Sequence, residues 1–122
     1  MYFGVSGSRV VQLEDIRYVN NIILKFKPEI IINCIGIVKQ SPLFHASSNE
    51  IRRINSQFPK LLETIASQNK IRVVHFSTDC VFSGLVGNYT EDDVPDPLDL
   101  YGKSKLHGEI KGDFCLSIRT SM

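Results

Sequence analysis

The 122-residue sequence predicts an α/β fold on a mostly parallel sheet, and three observations carry that expectation. Two short, continuous, β-branched runs, Lys27–Gly36 and Ile71–Ser77, have the composition of strands buried on both faces. Apolar residues at helical spacing fill the chain around them, and strands alternating with helices build parallel crossovers. A long loop marked by Gly84, Gly87, Pro95 and Pro97 then leads from the second run into a further helix.

In chain order, Tyr2–Val5 is a weak strand candidate and Gly4–Ser8 reads as a turn. Leu13–Phe26 carries Leu13, Ile16, Val19, Ile22, Ile23 and Phe26 on one stripe, the pattern of an amphipathic helix. Pro28 opens the first strong strand run and Gly36 closes it. Ile51–Gln68 is helical again, through Ile51, Ile54, Phe58, Leu61, Leu62, Ile65 and Ala66. Pro59 within it marks either a kink or the first turn of a new helix. Ile71–Ser77 is the second strand, and the loop over 83–99 is acidic at Glu91, Asp92 and Asp93. Leu100–Ile110 is a third helix and Phe114–Arg119 a third strand. No repeat, low-complexity tract or domain boundary interrupts this order.

Composition narrows the function classes. With 43% hydrophobic and 22% charged residues the chain reads as one ordinary globular unit. Its net charge of +1 and scattered basic residues argue against nucleic acid or a membrane surface as the main partner. No apolar run reaches the ~20 residues that span a bilayer, and residues 1–20 lack the pattern of a signal peptide. Three cysteines without CxxC spacing fit a reduced compartment, so the expected location is cytoplasmic.

The chemistry concentrates in the last third. Tyr101 and Lys105 lie four residues apart on the predicted helix, hence on one face and one turn apart. A phenol with pKa near ~10 donates its proton poorly at neutral pH until a cation stabilises the phenolate, and Lys105 supplies one. Thr78 ends the second strand, at the carboxyl side where open parallel sheets bind ligands. Hydroxyl, phenol and ammonium together suit moving a proton at an oxygen while a hydride moves at the attached carbon. Taken alone, a Tyr-x-x-x-Lys pattern is weak, and a solvated Lys105 beside a packed Tyr101 is its bland reading.

Further blocks agree with that pattern. They are Lys27–Gly36, Asn55 within Arg53-Ile-Asn-Ser56, Ser77–Gly84, Tyr89–Asp93, Pro97–Glu109 and Ile118–Ser121. Together they resemble the extended short-chain dehydrogenase/reductases, most closely the dTDP-4-dehydrorhamnose reductase branch, over about residues 10–122. The resemblance implies a partial doubly wound, Rossmann-type parallel sheet with flanking helices. Residues 1–122 would form a single partial NAD(P)-binding domain, without the amino-terminal Gly-rich βα unit and the carboxyl-terminal substrate part. Val10 stands where that phosphate-binding turn would need a further glycine, and only about 20 residues separate Gly7 from the first strong strand. The apolar edge left beside residues 30–35 invites aggregation or pairing with another chain, as a homo-oligomer or with a complementing chain.

By resemblance, Tyr101 is the general acid, Lys105 lowers its pKa and holds the nicotinamide ribose, and Thr78 hydrogen-bonds the substrate oxygen. Cys34, Ile35 and Gly36 would line the cofactor, with Asn55, Ser77 and the Tyr101 side chain as further cofactor-side contacts and NADP or NAD as the cofactor. The implied activity is reduction of a nucleotide-linked 4-keto sugar. A sugar-nucleotide epimerase or dehydratase is the nearest rival enzyme, and a non-catalytic remnant or regulatory binding subunit is the rival of another class. Little reductase turnover is expected from these residues alone. Cys34 and Cys80 read as buried small hydrophobes in preference to redox centres. His75 reads as a satisfied core histidine, while His45 and His107 lack a second ligand at metal spacing. Lys39, Gln40 and Ser41 form either a phosphate contact or merely the approach to a helix.

Overall fold

The computed structural model describes residues 16–42 and 47–121. Tyr2–Val5, the Gly4–Ser8 turn, the start of the Leu13 helix and His45 lie outside the described residues. The elements run α1 (Ile16–Phe26), β1 (Ile30–Asn33), α2 (Ser48–Arg52), a π-helical turn (Arg53–Gln57), α3 (Phe58–Asn69), β2 (Arg72–Thr78), a 3₁₀ turn (Asp79–Val81), α4 (Leu100–His107) and β3 (Cys115–Thr120). No helix among the described residues is long and apolar enough to cross a membrane.

The three strands form one parallel sheet in the order β1-β2-β3. Its register sets Ile31 beside Val73 and Val73 beside Cys115, with Asn33, His75 and Ser117 aligned two residues further on. Each crossover steps the same way across the sheet, and right-handed crossovers then deliver their helices to one face. Among the described residues the core accordingly lies on that face. Val19 and Ile23 of α1 meet Phe58, Leu62, Ile65 and Ala66 of α3 over Val73 and Ile110. On the opposite face Ile32 and Leu116 are 60% and 55% exposed. The continuous apolar runs predicted strands buried on both sides; within these residues only one side is covered.

The long second helical pattern is resolved into three pieces. Ser47 caps α2 by accepting the Glu50 N–H, and the Phe58 N–H reaches back to Arg53 O, five residues away. Pro59 has no N–H, so the Asn55 carbonyl four residues earlier receives no α-helical bond. The widened turn ends there and Pro59 sits in the first turn of α3, where its missing donor costs nothing. Both alternatives for Pro59 therefore hold part of the answer. At the far end of α3, Lys70 adopts φ 54° and returns its N–H to Ala66 O, a left-handed cap filled here by lysine.

Candidate active site

α4 brings the chemical residues together. Asp99 starts it by accepting the Gly102 N–H at 2.8 Å, and Gly108 ends it. Tyr101, Ser104 and Lys105 all face inward and are buried. The helix approaches so closely that a Cβ on Gly102 would stand 2.2 Å from Cys80 O, and one on Gly108 1.9 Å from Asn55 O. The Asn55 carbonyl that Pro59 leaves without a helical donor is thus the surface on which Gly108 packs.

Lys105 is 5% exposed, which sets aside the solvated reading, and its Nζ donates to Phe76 O at 2.6 Å. Burial drives its pKa down to about 8, against the pull of Glu109. Tyr101 moves the other way: burial raises its pKa, while a hydrogen bond with Thr78 and the Lys39 ammonium act in the opposite sense. Desolvation outweighs the hydrogen bond and the Lys39 ammonium, so the net direction is upward, opposite to the lowering by Lys105 that the resemblance implies. A phenol so placed is fully protonated at neutral pH. The Thr78 Oγ1 also accepts the Cys80 N–H at 3.2 Å and so caps the 3₁₀ turn.

The segment after β1 faces this group. Cys34 and Gly36 are exposed, which corrects the reading of Cys34 as a buried small hydrophobe; Cys80 is partly buried. A Cβ built on Gly36 would lie 3.7 Å from Lys105 Nζ and 3.5 Å from Asn55 Oδ1, ordinary contact distances. Gly36 is therefore not required by its protein neighbours, and its exposed backbone passes directly beside the buried ammonium. A ligand lying along the backbone of residues 34–36 would meet that ammonium.

Asn55 and Ser77 are positioned differently from an exposed contact. Asn55 is fully buried; its Oδ1 accepts the Ile37 N–H at 2.7 Å, and its Nδ2 donates to Ile37 O and Ser104 Oγ. Ser77 donates to Glu109 Oε1 at 2.8 Å. Both side chains spend themselves on holding elements together. Lys39 pairs with Asp99 and lies 5.7 Å from the Tyr101 ring centroid, strapping the segment after β1 to the start of α4. Of its two readings, the helix approach is the one this geometry supports.

Sequence reasoning missed several supporting residues. Glu109 accepts from Ser77 and from both Arg119 Nε and Nη2, and these bonds hold its carboxyl below the usual range against burial. A signal existed: Glu109 continues the 101, 105 helical spacing by one more turn. Asp99 at an N-cap position was legible in the same way. Beside the site, an open hollow of about 530 Å³ is lined by Asp79, Phe82, Ser83, Tyr89 and Arg119 among others, with Phe82 and Tyr89 stacked at 4.4 Å. The acidic residues Glu91, Asp92 and Asp93 are exposed, and Asp93 accepts from the Thr90 N–H and hydroxyl.

Comparison with known proteins gives this geometry its relatives. The profile of the RmlD substrate binding domain matches residues 2–116. Methionine adenosyltransferase 2 subunit beta from Xenopus tropicalis is 36% identical over 107 residues, covering 81% of this chain and 29% of that protein. A crystal structure of a hypothetical dTDP-4-dehydrorhamnose reductase from Sulfolobus tokodaii superposes with a TM-score of 0.78 at 33% identity, covering 88% of this chain and 40% of the other. The dTDP-4-dehydrorhamnose reductase of Bacillus anthracis, crystallised with NADP, matches at 26% identity and TM-score 0.71, over 80% of this chain and 34% of that one. The chain thus spans less than a third of the curated relative and two-fifths of the Sulfolobus structure. Its Rossmann-type sheet, its Tyr101/Lys105 helix and the match over nearly its whole length make it a member of the RmlD substrate binding domain family, within the extended short-chain dehydrogenase/reductases.

Proposed function

We propose that this chain is the cofactor-facing, proton-delivering part of an NAD(P)H-dependent reductase of nucleotide-linked 4-keto sugars. The carrying observation is that one face of α4 sets Tyr101 against Thr78 and, a turn later, buried Lys105 against the exposed backbone at Gly36. Lys105 and the backbone of Cys34, Ile35 and Gly36 would hold a nicotinamide dinucleotide, which when bound supplies the hydride. Thr78 Oγ1 orients the substrate carbonyl against the phenol. Tyr101 gives its proton to the oxygen as the carbon is reduced, so that the carbonyl becomes an alcohol. Lys105 offsets the phenolate charge that results. The raised pKa of Tyr101 keeps the acid form populated but makes it a weaker donor, so the proton transfer depends on the charge that Lys105 offsets. We further propose that residues 1–122 constitute one partial cofactor-binding domain, with little turnover by themselves.

Titrating the purified chain with NADPH and NADH, read by nicotinamide fluorescence, tests the site. Saturable micromolar binding is expected, with Gly36→Ala weakening it at least tenfold while the melting temperature holds. Binding absent up to millimolar, or untouched by Gly36→Ala, overturns the assignment. Tyr101→Phe should bind as the parent does. Robust, Tyr101-dependent oxidation of NADPH with a 4-keto sugar nucleotide would refute the partial-domain proposal. A second reading, a regulatory binding subunit, is favoured by the similarity to methionine adenosyltransferase 2 subunit beta; it predicts cofactor binding with no Tyr101-dependent turnover in any context.

A further inference from the structure

The loop that carries Gly36 is tied to a buried polar chain that the proposed reaction does not use. Asn33, at the end of β1, is 3% exposed and His75, its register partner on β2, is fully buried. The Asn33 Oδ1 accepts the Ile35 N–H at 3.1 Å, and its Nδ2 lies 3.0 Å from His75 Nδ1. His75 Nε2 has no hydrogen-bond partner among the described residues, so the ring is satisfied on one nitrogen only.

The polarity of this chain is fixed from its loop end. A backbone N–H can only donate, so the atom facing Ile35 must be the amide oxygen of Asn33. The amide NH₂ then points at His75 Nδ1, which must accept, and the neutral ring carries its proton on Nε2. A protonated ring would set N–H against NH₂. Asn33 would have to flip, and the Ile35 N–H would lose its acceptor. The surroundings oppose that protonation: burial and the ammonium of Lys105 on α4 push His75 down to about 4, with Lys60 of α3 adding to them, while the backbone carbonyl of Asn33 and the carboxylate of Glu109 resist. The same loop is gripped at its other end by Asn55, on both the N–H and the carbonyl of Ile37.

We propose that His75 is a positioning residue for the cofactor-facing loop, acting through Asn33 to fix the Ile35 N–H and hence the path of Cys34–Gly36 past Lys105. This rests on the reading of that loop as the cofactor-facing one. His75 touches neither substrate nor cofactor in this role. It selects the rotamer of an amide, and the amide selects the loop.

The test has an arm that needs no ligand. Nitrogen-15 spectroscopy of the imidazole should find the neutral Nε2–H tautomer at pH 7, and the Ile35 amide should exchange slowly. An Nδ1–H tautomer, an imidazolium, or an Ile35 amide exchanging like an exposed loop amide overturns the proposal. In His75→Leu, Ile35 exchange should quicken at least tenfold while the Val73 amide, bonded to Phe114 O in the sheet, keeps its protection. His75→Asn, which retains an acceptor near the Nδ1 position, should restore slow exchange. NADPH affinity should follow the same order, falling about fivefold in the leucine variant and recovering in the asparagine one. Unchanged affinity despite a loosened Ile35 overturns the positioning role. If the parent chain binds no NADPH, the functional reading fails, and the tautomer and exchange measurements still decide the His75 link.

Discussion

At the residue scale the site is governed by what burial does to two protons. Lys105 keeps a charge that its surroundings penalise, with its pKa near 8 in place of 10.5. The folded-state value is lowered, so the unfolded chain holds the proton more tightly across the window from about 8 to 10.5. Stability therefore rises with pH through that window, and the full penalty is present below it. A ligand that places negative charge or acceptors beside Gly36 reverses the effect, since it favours the ammonium. Binding near pH 8 should take up a fraction of a proton that disappears by pH 6, as calorimetry in buffers of different ionisation enthalpy would report. Proton-independent binding at pH 8 would show that the ligand does not meet Lys105. His75 adds an acid-side counterpart: its value of about 4 against 6.5 means stability is fully present above 6.5 and falls as pH drops from there to 4.

At the scale of elements, two glycines fasten α4 and a third does not. Ala is better than Gly inside a helix by about 1 kcal/mol, so propensity alone makes Gly102→Ala stabilising. Contact reverses the sign, because the added methyl meets the Cys80 carbonyl at 2.2 Å. Gly108→Ala meets Asn55 O at 1.9 Å and has backbone on both sides of the clash. Each substitution should destabilise the chain by about 2 kcal/mol or more in denaturant titrations, with Gly36→Ala within about 0.5 kcal/mol of the parent. A Gly108→Ala chain as stable as the parent would mean that α4 docks elsewhere. Much of this layout was legible beforehand. The two β-branched runs located β1 and β2, the Phe114–Arg119 segment located β3, and the spacing of Tyr101 and Lys105 located the buried face of α4. What could not be read were contacts set by distant elements: the π turn, whose cause is Pro59 but whose use is to seat Gly108; the Asn33–His75 pair, 42 residues apart; and the exposure of Cys34. Sequence periodicity reports which face of an element is apolar, and it is silent on whether anything lies against that face.

At the scale of the whole molecule, both crossovers return their helices to the same side of the sheet. The strands nonetheless carry apolar residues on both sides, with Ile30, Ile32 and Leu116 each at least 45% exposed. The relatives it matches are more than twice as long, and the match occupies 29% of one and 40% of another. A sheet clothed on one side has an unusual thermodynamic signature. Unfolding reveals only the apolar surface that folding had hidden, and the residues of the bare side are already wet in the native state. The heat-capacity increment should therefore fall clearly below the ~12–15 cal/mol/K per residue of ordinary domains, and the urea slope should be shallow for a chain of this length. Calorimetry returning the ordinary increment would mean that the bare side is covered in solution. A small increment also flattens the curve of stability against temperature, so this chain should lose little of its stability on cooling and should melt over a broad range.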